Sequence, residues 1–256
     1  MFRGLYTAYT GMRTQQQKMD AISNNLANVD TAGYKKDTMV QNSFKEILTY
    51  KIKDPELPNS QNIGKMSLGV HVSQVYTDFV QGSLKQTNER NNLAIQGTGF
   101  IKVGQLTEEG NMDIKYTRDG SLNLNQEGAL VTSDGLFVLG GEETPITLAV
   151  GDYRVNEDGR IYQNEDLMGQ LQITDFDDLQ TLRKEGSSLY KTTDASVEKE
   201  FEGSVQQGFI ESSNANSIQE MVDMIATSRT YEANQKIIQT YDATMDKVVN
   251  NVGTVR

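Results

Sequence analysis

Apolar residues recur at every seventh position near the start of the chain, at Leu5, Met12, Met19 and Leu26, with Phe2, Tyr9 and Ile22 beside them. That spacing predicts a helix with one apolar stripe, interrupted by Gln16 and Ser23, of the kind that packs along a partner helix. Gly4 and Gly11 lower the intrinsic helix propensity, so the stripe needs a partner to hold its shape. The closing stretch repeats the pattern. Ser213, Asn214 and Asn216 supply N-cap types ahead of a run without proline. Ile218, Met221, Val222 and Ile225 form a first apolar face, continued by Tyr231, Ile238, Tyr241, Met245, Val248, Val252 and Val255. A helix from Ile218 to Val255 would be about 55 Å long at 1.5 Å per residue. Both ends are therefore expected to be helical and to pair as a coiled coil. Each keeps an apolar strip that only further copies of the chain would cover.

Between them the period drops to two. LGVHVSQVYTDF, LAIQGTGFIKV and the runs that follow alternate apolar and polar residues, with Asp119-Gly120, Glu127-Gly128, Asp134-Gly135 and Asp158-Gly159 as turn signals. Short antiparallel strands in a meander or small barrel are expected over residues 68–186. Residues 33–67, which hold Pro55 and Pro58, read as an extended arm, and 187–212 as a returning linker that pairs with it. The expected class is α+β, with 1–32 plus 213–256 as a helical coiled-coil domain, an arm and linker, and an inserted all-β domain.

Composition narrows the chemistry. Hydrophobic residues are 36% of the chain, aromatic residues 7%, and Trp is absent, which is lean for one self-sufficient core. A net charge of −11 argues against a nucleic-acid partner or adsorption to an anionic membrane. Without Cys there is no thiolate chemistry, and a single His, His71, leaves no multi-His metal site. The N-terminus lacks the apolar core of a cleaved secretory signal. No run approaches the ~18 apolar residues of a membrane span, so direct membrane insertion is not expected.

Three stretches resemble active sites superficially. NEDGRIYQNED lacks calcium-loop spacing, GTGF lacks the Lys-Ser/Thr of a phosphate loop, and DFDD, with Asp175 and Asp177, has the look of a solvated turn. No catalytic residue, cofactor or metal is expected.

The remaining motifs carry a family resemblance. NNLANVDTAGYKK, through Asn24, Asn25, Asn28, Thr31, Gly33, Tyr34 and Lys35, resembles the N-terminal signature of bacterial flagellar rod and hook axial proteins. LAIQGTGFIKV and YTRDGSLNLNQEGALVTSDGLFVLG are similar to that family's middle motifs. GFIESSNANSIQEMVDMIATSRTYEANQKIIQTYD is similar to its C-terminal one, with Ser213, Asn214, Glu220, Met221, Val222, Ile225, Arg229, Tyr231 and Glu232 on matching positions. The resemblance implies a structural, self-assembling subunit of the flagellar basal body, most like a distal rod protein, with a proximal-rod or hook-type subunit as the alternative. It also implies export through the type III apparatus and contact with other rod and hook proteins. The three asparagines are expected to satisfy carbonyls at the end of the first helix, and Gly33 to let the chain leave it.

Overall fold

The computed structural model describes residues 2–51, 61–106, 112–141, 143–149 and 151–252. Helix α1 (Phe2–Ala27) opens the chain and α2 (Ser217–Val252) closes it, with antiparallel strands between them. The stretch around Pro55 and Pro58, and Val255, lie outside the described residues. The chain divides into two compact units.

The first unit holds Met1–Leu26, Asp37–Tyr76 and Ser217–Arg256. The two helices run antiparallel and touch at matched heptad positions. A Cβ on Gly4 would lie 2.7 Å from Cζ of Tyr241, and one on Gly11 would lie 3.1 Å from Nδ2 of Asn234. Further along, Asn25 Nδ2 donates to Glu220 Oε2 at 3.4 Å. Seven residues forward on α1 thus correspond to seven backward on α2. The two glycines that weaken α1 are where the tyrosine and asparagine of α2 come close.

The arm forms two ribbons, Asp37–Ser43 with Val70–Thr77 and Ile47–Lys51 with Gln61–Met66. Its return is seated on a second face of α1, where Val70 N–H donates to Thr10 Oγ1 at 3.4 Å and Thr14 is buried. Among the described residues, no helix is long and apolar enough to cross a membrane.

The second unit holds Ala27–Lys36 and Thr77–Asn216. Its main sheet has nine strands, seven of them in the order Arg183–Glu185, Leu189–Lys191, Met112–Thr117, Phe100–Leu106, Phe137–Val138, Leu130–Thr132, Leu122–Leu124. Ile173–Phe176 pairs with Phe100–Leu106 and carries Glu198–Glu200 at a further edge. A separate three-stranded sheet contains Arg154–Val155, Arg160–Gln163 and Asp166–Gln170. Leu93, Ile101, Val103, Leu130, Val138 and Ile161 fill the aliphatic core. Phe100, Tyr116, Phe176 and Tyr190 make an aromatic one, with Phe100 and Tyr190 ring centres 5.4 Å apart. Edge-to-face contacts of this kind add to area burial, which lets few aromatic residues hold a lean composition together.

Three expectations change. No closed barrel forms among the described residues, because the terminal strands of the main sheet do not pair and two edges carry Arg-Lys-Glu and Glu-Lys-Glu, side chains that block further pairing. The strands of the returning segment pair with strands of this unit and not with those of the arm: Ser204–Gln207 pairs with Leu93–Gln96, Phe209–Glu211 with Leu84–Gln86, and Glu198–Glu200 with Ile173–Phe176. Asp119-Gly120 is no hairpin turn. Leu93 N–H donates to Gly120 O at 2.9 Å, and the glycine is there because a Cβ would collide with the Leu93 carbonyl. Gly128, Gly135 and Gly159 do take the positive φ that their turns require (82°, 81° and 76°).

Burial pushes the Tyr153 phenol up to about 12, while its hydroxyl donates to Asn91 Oδ1 at 3.2 Å. In the unfolded chain a tyrosine ionises near pH 10. Between pH 10 and about 12 the unfolded state therefore releases a proton that the folded state keeps, and stability falls as pH rises. Tyr153→Phe is expected to flatten this alkaline slope in urea titrations at stepped pH. An unchanged slope would show that the phenol does not sense its surroundings.

Candidate functional site

Residues from all four sequence motifs meet in the second unit. Lys35 is fully buried and forms an ion pair with Glu211 Oε1, while its Nζ also donates to Val80 O at 2.9 Å. The other carboxylate oxygen, Oε2, accepts from Arg118 Nη1 at 3.3 Å. Arg118 Nη2 donates to Gly97 O at 2.8 Å, and its guanidinium lies over the Phe100 ring, 5.0 Å from the centroid. Gly82 N–H donates to Glu211 Oε1 at 2.9 Å. One buried carboxylate thus holds two cations. Burial pushes both Lys35 and Arg118 below their ordinary values, against the upward pull of Glu211.

The backbone is tied as tightly as the charges. Gly33 N–H donates to Glu211 O at 2.8 Å. Gly33 has φ +65°, and a Cβ there would sit 2.5 Å from Asp119 N, so both conformation and space demand glycine. Tyr34 is buried beneath Lys184, whose Nζ stands 4.0 Å from the ring centre and donates to Lys35 O at 2.7 Å. Asn214 accepts from Lys36 N–H at 2.8 Å and donates to Asp78 O at 2.7 Å. Every one of these contacts fixes chain direction, and none leaves a reactive group open. Asp175 is likewise occupied, accepting from Thr98 Oγ1 at 2.6 Å and from Phe176 N–H at 2.8 Å. Among the described residues, no group of three His, Cys, Asp or Glu side chains could hold a metal ion.

Asn25 is buried and grips the first residue of the first ribbon at both ends of its amide, accepting from Asp37 N–H at 2.9 Å and donating to Asp37 O at 3.0 Å. Asn28 Oδ1 accepts from Thr31 Oγ1 at 3.3 Å, Asn24 is exposed, and Ser213 Oγ accepts from Ala215 N–H at 3.1 Å ahead of α2.

The helical stripes divide. On α1, Ile22 is buried, Leu5, Met12, Met19 and Leu26 are half-buried, and Tyr9 is exposed. On α2, Tyr231, Ile238, Tyr241 and Met245 are half-buried and Glu220 is buried. Ile218, Met221, Val222, Ile225 and Val248 are exposed, as are Arg229 and Glu232. Val252 ends α2, and its side chain lies outside the described residues. Sequence reading passed over Arg118 and Glu211 as individual residues. The signal was a charged residue at an otherwise apolar strand position, Glu211 behind Phe209-Ile210.

Comparison with known proteins agrees with this convergence. A profile described as flagella basal body rod protein matches residues 5–35, one for the flagellar hook protein FlgE/F/G D1 domain matches 94–174, and one for the flagellar basal body rod FlgEFG protein C-terminal region matches 206–252. The chain is 31% identical to the flagellar hook-basal body complex protein FlhO of Bacillus subtilis, over 100% of both chains. The chain belongs to the flagellar rod and hook family. It is also 33% identical to the basal-body rod protein FlgG of Borreliella burgdorferi, over 98% of this chain and 99% of the relative. Identity to the rod protein FlgF of Caulobacter vibrioides is 30% over the full length of both. The buried cluster draws on all three matched segments of this rod and hook chain, with Lys35 from the first, Arg118 from the second and Glu211 from the third.

Glu211→Gln leaves two buried cations without their anion and is expected to destabilise the protein by about 3–5 kcal/mol in denaturant unfolding. Exposed Glu232→Gln should change stability by less than about 0.5 kcal/mol. Equal effects of the two substitutions would refute the clamp.

Proposed function

We propose that the chain is a structural subunit of the flagellar basal-body rod, stacking through α1 and α2 into a hollow helical shaft that passes torque from motor to hook. The observation that carries this reading is the first two turns of α2. Ile218 (73% exposed), Met221 (50%), Val222 (55%) and Ile225 (57%) stand at i, i+3, i+4 and i+7, one apolar face left in water. Contiguous exposed apolar surface of this kind marks an interaction site. A subunit whose neighbours supply the cover resolves it, through repeated heterologous contacts that do not close.

The matched heptad positions of α1 and α2 support pairing of the two helices as an antiparallel coiled coil, with Leu5, Met12, Met19, Leu26, Tyr231, Ile238, Tyr241, Met245, Val248 and Val252 extending the seam to neighbouring copies. In this reading 1–32 plus 213–256 build the tube, and the β segment 68–186 with the linkers 33–67 and 187–212 makes up the rest of each subunit. The relatives named FlgG favour the distal part of the rod, and the FlgF and FlhO relatives keep a proximal or hook-type place as the second reading. Other rod and hook subunits are the neighbours, the cell-envelope basal body is the location, and the type III apparatus is the route there.

Val222→Asp is expected to abolish polymerisation at concentrations where the parent chain forms rods visible by negative-stain microscopy, with circular dichroism unchanged. Rods of normal length from this variant would show that the exposed face of α2 is not an assembly surface.

A further inference from the structure

The edges of the β unit are not treated alike. Arg183–Glu185 and Glu198–Glu200 carry only charged side chains, the usual protection of an exposed strand. Asp166–Gln170, the edge of the three-stranded sheet, instead shows water Leu167 (59% exposed) and Met168 (44%). Ile161 faces Gly169 and Tyr162 faces Leu167, so Met168 is the extra residue of a bulge and the apolar pair stands together against one partner. The turn that presents them is held at cost, since Asn164 and Glu165 both have positive φ (50° and 74°) and the second is neither Gly nor Asn. A strained turn carrying two unprotected apolar side chains fits a docking element better than a solvated tip.

Charge indicates what receives it. The β unit has 25 Asp and Glu against 13 Lys and Arg, a net −12, so the whole of the chain's net charge of −11 falls there, while the helix-and-ribbon unit is close to neutral. Two β units therefore repel one another, and a β unit meeting the ribbon of another copy does not. That ribbon, Asp37–Ser43 with Val70–Thr77, exposes Val40, Val75 and Tyr76, followed by Phe44. Lys65 in the adjoining ribbon is exposed and pairs with Glu46 at 3.7 Å, and Lys45 is exposed just ahead of that ribbon.

We infer that Leu167 and Met168 form an apolar knob that docks on the Val75 face of the Asp37–Ser43 and Val70–Thr77 ribbon of a second copy of this chain. The inference rests on the shaft reading and adds the lateral contact to it. The contact is heterologous, knob to ribbon, the kind that can link copies one after another along a polar filament.

The absence of cysteine allows a direct test. A Leu167→Cys chain and a Val75→Cys chain are mixed, polymerised and oxidised, and a disulfide between them can then form only between copies. The expected product is the mixed dimer on a non-reducing gel, several-fold above the same mixture oxidised below the polymerisation threshold. Leu167→Asp alone should raise the concentration needed for polymerisation about tenfold while leaving the circular dichroism unchanged. Polymers that give no mixed dimer, or only dimers of the Leu167→Cys chain with itself, overturn the inference and leave the shaft reading standing. A parent chain that never polymerises overturns both.

Discussion

The carboxylate of Glu211 is the anchor of the β unit. It is buried with Lys35 on one oxygen and Arg118 on the other, and its backbone carbonyl binds the N–H of Gly33. A charge in such a place is tolerated only because both cations and the surrounding N–H groups face it at once. The consequence is geometric. The residues that leave α1 and the residues that enter α2 are more than 170 positions apart, and they are joined at one point.

The helices obey a different constraint. α1 and α2 share small and polar contacts: Gly4 against Tyr241, Gly11 against Asn234, Asn25 against Glu220. Glycine lets backbones approach and amides fix register, whereas apolar stripes alone tolerate sliding. The apolar residues at the start of α2 are left outside this contact. An intramolecular seam that is partly polar, beside a strip that is wholly apolar and uncovered, suits a protein that must be specific internally and adhesive externally.

Charge and edge design show the same economy in the β unit. A strongly negative body repels copies of itself, and charged edge strands block adventitious pairing. The aromatic cluster around Phe100 and Tyr190 compensates for a sequence poor in large apolar residues, and Arg118 stacked on Phe100 ties that cluster to the ion pair.

Local periodicity is short-ranged physics, and what depends on it was legible in the chain. The heptads determined both terminal helices, alternation determined the antiparallel strands, and glycine with Asp or Glu located the turns at Gly128, Gly135 and Gly159. The family motifs were visible as words, but their meaning was not. Gly33, Lys35, Gly97, Arg118 and Glu211 are a single object only because the strands bring them together, and no spacing along the chain encodes a contact between positions 35 and 211. The same holds for Asp119-Gly120, which has the composition of a turn and becomes a close passage under Leu93. It holds too for the barrel that the strands do not close among the described residues. Which residues are apolar is a property of the chain, and which of those faces stay open to water is decided only when the other elements have taken their places.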